Sequence, residues 1–121
     1  MSAPRPRVFL AGLFLLMALA ACSHKPEDPS PAGVYAYRCA RCHEIDGSST
    51  TASKMAKEDI DLRDPVFQRY NSDERIRRIA RYGKGRMQGI SGITDTELDS
   101  VVVQIRRLGA QAAAAKADSL D

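Results

Sequence analysis

The chain has 121 residues, a formal net charge of +3 and 44% hydrophobic residues. That is enough for one domain and excludes a multidomain or polytopic membrane protein. The apolar residues crowd into positions 1–21 and an Ala-rich stretch after Gly109, so the part between Ala32 and Leu108 has a lean core without Trp and calls for a staple or a cofactor.

Arg5 and Arg7 precede a run from Val8 to Ala21 that only Gly12 interrupts. A positive flank, an apolar stretch of about 14 residues and small residues at its end predict an export signal over residues 1–21. The run is shorter than the roughly 18 residues of a spanning helix. It closes Leu19-Ala20-Ala21-Cys22, which resembles a bacterial lipobox. The resemblance implies a lipid on the Cys22 thiol and a mature chain beginning there, exported and held on a membrane facing the periplasm or cell exterior. Ordinary cleavage with a free thiol, or an uncleaved anchor, are the alternatives. Residues 22–31, with three prolines between Ser23 and Pro31, read as a stiff tether of about 3 Å per residue. His24 within it reads as a solvated linker residue.

Beyond Cys22 the cysteines are Cys39 and Cys42, followed directly by His43. C-x-x-C-H is the spacing of c-type haem attachment. Two thiols one helical turn apart can each form a thioether to a haem vinyl, and the neighbouring imidazole then lies under the iron. One covalent haem c is thereby kept on a domain too small to enclose it. A zinc site would need two further ligands. A thioredoxin-like dithiol would need a strand and a parallel sheet, and a disulfide at this spacing would be strained.

For the other side of the iron three residues compete. Met87 lies in a glycine-rich loop, Tyr82-Gly-Lys-Gly-Arg-Met87-Gln-Gly, whose glycines permit unusual backbone angles. Met55 sits in a short polar helical stretch, Ser53 to Glu58, and reads by default as a gap-filling methionine. His24 would give bis-His ligation. The order of preference is Met87, Met55, His24.

Helical patterns fill the rest. Val34, Tyr35, Arg38, Cys39 and Cys42 share one face of a first helix. Asp64-Pro65 opens a short helix through Tyr70. Ser72 caps a helix in which Ile76, Ile79 and Ala80 recur at helical spacing. Thr94-Asp-Thr-Glu97 is a capping box before Leu98, Val101, Val102, Ile105 and Leu108, with Gly109 marking the stop. Residues 110–121 read as a frayed Ala-rich tail, and no alternation is long enough to argue a strand.

The segment from Val34 to Leu108 resembles a class I monohaem cytochrome c of the small bacterial kind, here of the lipoprotein type. Val34, Tyr35, Cys39, Cys42 and His43 match its opening, Gly83 to Met87 its methionine loop, and Thr94 to Leu98 the start of its last helix. The resemblance implies an all-α domain over residues 32–109, with about four helices around the haem. It also implies Cys39 and Cys42 as thioether sites, His43 as proximal ligand and Met87 as distal ligand. Four positions depart from the pattern. Gln88 replaces a proline, Gln104 replaces an aromatic at a helix crossing, and Pro31 stands where a helix glycine is usual. Ile60-Asp61-Leu62 replaces Pro-Asp-Leu, which leaves the Ile60 carbonyl to hold the proximal imidazole.

Six cations, Arg75, Arg77, Arg78, Arg81, Lys84 and Arg86, lead into the Met87 loop. They read either as a solvated helix face or as a docking patch for an acidic redox partner. The reading as a whole is a lipid-anchored carrier of single electrons, cycling between Fe(II) and Fe(III). It is not an enzyme, it expects no small-molecule substrate, and its compartment excludes nucleic acid. A haem-based sensor or ligand-binding cytochrome, and a cytochrome subunit of a membrane oxidoreductase complex, are the alternatives.

Overall fold

A computed structural model describes residues 25–120. The expected signal over residues 1–21, the lipidation position Cys22 and the candidate ligand His24 lie outside the described residues. Six helices and one short ribbon follow one another: α1 (Pro31–Arg38), α2 (Ala40–His43), α3 (Thr50–Ala56), α4 (Pro65–Tyr70), α5 (Asp73–Tyr82), β1 (Gly83–Lys84), β2 (Met87–Gln88) and α6 (Asp95–Asp118). The all-α class stands, with six helices in place of about four.

Side-chain caps start four of the six helices. Ser30 caps α1 by accepting the Gly33 N–H at 3.1 Å, and Pro31 occupies the first turn. The helix therefore begins inside the proline-rich segment read as tether. Asp28 seats directly on Gly33, where a β-carbon would collide with its carboxyl. The same carboxylate accepts the Ser30 N–H and O–H, both at 2.8 Å. Asp64 caps α4 through Val66 and Phe67, and Ser72 caps α5 through Arg75. Thr94 and Glu97 form the expected capping box of α6.

The first helix does not run unbroken to the second cysteine. At Cys39 the backbone leaves helical geometry (φ −123°), and the Cys42 N–H bonds back three residues to the Cys39 carbonyl at 3.2 Å. That tighter step separates α1 from the single turn of α2.

The core forms where α1 and α5 pack on α6. Val34, Tyr35 and Cys39 meet Ile76 and Ala80 over the α6 stripe Leu98, Val101, Val102, Ile105 and Leu108, with Leu62 and Ile93 closing the sides. The stripe keeps its anticipated i, i+3, i+4, i+7 spacing. Gly109, however, does not stop α6. It is buried inside the helix, where a side chain would strike Gln68. Helix-favouring alanines then carry α6 to Asp118 in place of the frayed tail.

The glycine-rich loop also holds more order than expected. Gly83 pairs with Gln88 and Lys84 with Met87 in a two-residue antiparallel ribbon. Gly83 has φ +81°, and a β-carbon there would run into the Met87 carbonyl, so only glycine lets the strands close. No helix among the described residues is long and apolar enough to cross a membrane.

Candidate functional site

The structure brings three of the sequence-selected residues together on one helical turn. Cys39 is buried, Cys42 is half-buried and both carry free thiols. Burial pushes the Cys39 thiol up to about 12 against the opposing pull of Arg38, so it is a neutral thiol at physiological pH. His43 follows directly, and desolvation lowers its pKa despite the nearby Glu44. The ring is therefore held in its neutral form, the form that ligates metals.

Contacts that sequence reasoning did not foresee fix this turn. Tyr35 is 1% exposed, and its hydroxyl donates to the Glu44 carbonyl at 3.0 Å and the His43 carbonyl at 3.3 Å. The His43 Nδ1 lies 2.9 Å from the hydroxyl of fully buried Ser49. The Ile60 carbonyl does not hold the imidazole. It faces the Ser53 hydroxyl, at 3.4 Å, while the Ile60 N–H donates to that oxygen at 2.9 Å. The small polar residues at 47–49 bring a hydroxyl to the ring before the chain reaches residue 60.

The two methionines lie on neighbouring segments. Met87 is half-buried in β2, and Met55 is 55% exposed in α3. Arg86, at the turn of the ribbon, donates to the Met55 carbonyl at 3.1 Å and so ties the Met87 segment to α3. Helix α3 in turn follows the loop that leaves His43.

Gln104, where the resemblance expects an aromatic, lines a groove with Ile45 and Leu108. An ion pair secures the crossing of α1 and α6. Arg38 donates through Nε at 3.1 Å and Nη2 at 2.9 Å to Glu97 Oε1, and their side chains are only 12% and 11% exposed. The guanidinium also stacks on Tyr37, 5.1 Å from the ring centre.

The basic run divides in two. Arg77 pairs with Asp99 and Arg81 with Asp95, both acids on α6. Arg86 serves the Met55 carbonyl. Arg75, Arg78 and Lys84 are exposed and enter none of these ion pairs. The candidate docking charge is therefore smaller than the sequence run.

These donors fit a c-type haem. Two unpaired thiols sit one turn apart, the adjacent imidazole has Nδ1 engaged and Nε2 left to ligate, and a thioether side chain stands half-buried in the ribbon. Exposed Ile45 and Met55, 65% and 55% accessible, supply apolar surface beside the motif. Residues 26–103 match the family model described as cytochrome C oxidase, cbb3-type, subunit III. No curated protein and no solved structure matches the chain.

Proposed function

The chain belongs to the cytochrome c oxidase cbb3-type subunit III family, and from that premise we propose that it carries one covalent haem c and passes single electrons between redox partners. The family supports a c-type cytochrome, and the helices are consistent with the small all-α cytochrome c fold. The observation that carries the proposal is the single turn presenting two free thiols and an oriented imidazole.

In this reading Cys39 and Cys42 are the thioether sites and His43 is the proximal ligand. Met87 is the distal ligand, with Met55 the weaker alternative. When bound, the haem supplies reversible one-electron Fe(II)/Fe(III) chemistry, and His/Met ligation sets it at a raised potential. The protein's own residues position and shield. Tyr35 and Ser49 hold the proximal turn, the α1–α6 core keeps Cys39 dry, and Arg86 fixes the Met87 ribbon. No side chain is asked to act as acid, base or nucleophile, so the protein is a carrier and not an enzyme.

We place the protein outside the cytoplasm, anchored by lipid on Cys22, with Arg75, Arg78 and Lys84 offering positive charge to an acidic partner. Association steered in this way weakens as salt rises. Mass spectrometry of the mature N-terminus tests the anchor, and an unmodified start at any other residue refutes it.

Pyridine haemochrome analysis and carbon monoxide addition test the haem reading. Covalent haem c that resists carbon monoxide in the reduced state is the expected result, and a chain without covalent haem refutes the proposal. Rapid carbon monoxide binding would assign the protein to ligand sensing. A second reading, favoured by the description of the family, is a subunit of a membrane oxidase. Comigration with oxidase subunits after mild detergent extraction would select it.

A further inference from the structure

Ser49 carries an unusual combination of features. It is a polar residue with 0% exposure, and it holds a left-handed backbone at φ +57° although it is not glycine. Such a conformation is unfavourable for an L residue and persists only where the surroundings impose it. The gain that offsets it lies in what the residue reaches. Its N–H donates to the His43 carbonyl at 3.2 Å, and its hydroxyl sits 2.9 Å from the His43 Nδ1. Both ends of His43 therefore return to one residue.

The hydroxyl also donates to the Gly47 carbonyl at 3.3 Å. That carbonyl is itself held by the Leu62 N–H at 3.1 Å, and Leu62 belongs to the core. A hydroxyl has one hydrogen. With it directed to Gly47, the oxygen faces the ring through a lone pair and accepts from Nδ1–H. The imidazole is thereby fixed as the tautomer whose lone pair is on Nε2.

We propose that Ser49 is the positioning residue for the His43 ligand, fixing its tautomer and plane through a hydroxyl anchored by Gly47 and Leu62. This rests on the reading of His43 as the proximal haem ligand. An acceptor on Nδ1–H makes the imidazole a more basic ligand. A more basic ligand favours Fe(III), so removing the acceptor raises the reduction potential.

The test uses the holoprotein and the variants S49A, S49G and S53A. S49A removes the hydroxyl and keeps the left-handed residue. S49G removes the hydroxyl and relieves the backbone, so it separates the side chain from the strain. S53A removes the hydroxyl that faces the Ile60 carbonyl. The readouts are reduction potential and solvent exchange of the His43 ring proton by NMR.

The expected result is an upward potential shift and faster ring-proton exchange in both S49A and S49G, with S53A near wild type. Wild-type values in both Ser49 variants overturn the proposal. So does a shift confined to S49A, which would make the backbone its cause, or one confined to S53A. Absence of covalent haem from the wild-type protein would overturn the haem reading itself and this assignment with it.

Discussion

Replacing Glu97 with alanine probes the joint on which the two longest-range packing partners, α1 and α6, depend. The carboxylate has two duties there. Oε1 takes two hydrogen bonds from Arg38, and Oε2 accepts the Thr94 N–H at 2.9 Å to complete the capping box. Burial pushes its pKa up, but the Thr94 backbone and Arg38 outweigh that and hold it below the ordinary value, so it is charged at neutral pH. E97A removes two charge-assisted hydrogen bonds to the largely buried Arg38 guanidinium together with the Thr94 back-bond, at a cost of about 3 kcal/mol. E97Q keeps the capping box, because glutamine satisfies the same back-bond, and costs about 1.5–3 kcal/mol through the weakened bonds to a charged group. R38M strands the carboxylate instead. In the double variant R38M/E97Q no charge is stranded, so its loss is smaller than the sum of the two single losses. Urea unfolding of the holoprotein, followed by far-ultraviolet circular dichroism, measures all four corners of the cycle. Additive single losses would refute the coupling of the two side chains.

Four further outcomes follow from the same geometry. Y35F removes a buried hydroxyl that serves two carbonyls and should cost about 1 kcal/mol, read by the same unfolding assay. G109A should destabilise by about 1–3 kcal/mol despite alanine's better helix propensity, because its methyl displaces Gln68 from the Leu62 and Ile105 carbonyls; a raised melting temperature would contradict the packing. Glu97 has a lowered folded pKa, so its contribution is present above its ordinary value of 4.5 and is lost as pH falls below it; stability against pH should be flatter in E97Q than in wild type over that acid range. The haem-free chain should show no cooperative thermal transition, since the core comes from few residues, and a sharp helical melt without haem would refute this.

What could be read in the sequence was whatever local chemistry dictates. The caps at Asp64, Ser72 and Thr94 sit where short polar side chains meet orphan N–H groups, and the α6 stripe follows from helical spacing. The thiol–thiol–imidazole turn was equally legible, because its spacing is its geometry. Gly109 misled because glycine has two uses. As a cap it ends a helix, but here its missing side chain makes room for Gln68, a residue 41 positions earlier. Ser49 and the Arg38–Glu97 pair escaped notice for a related reason: their partners are set by tertiary packing. Helical spacing puts Arg38 on the face shared with Cys39, but no local pattern names Glu97, 59 positions on, as its partner. The ribbon at Gly83–Gln88 was hidden because two-residue strands are too short to show alternation.

The clasp of Asp28 on Gly33 and Ser30 changes how far the domain can stand from its proposed lipid anchor. Asp28 is thereby pinned to the start of α1, which leaves at most the six residue steps from Cys22 to Asp28 as tether. Six residue steps reach about 20 Å when fully extended, against roughly 30 Å for a free tether of ten. With the proposed anchor in place, the domain would stay nearer the bilayer than a free ten-residue tether allows. Its redox partners would then be those whose docking faces lie within that reach of the lipid headgroups.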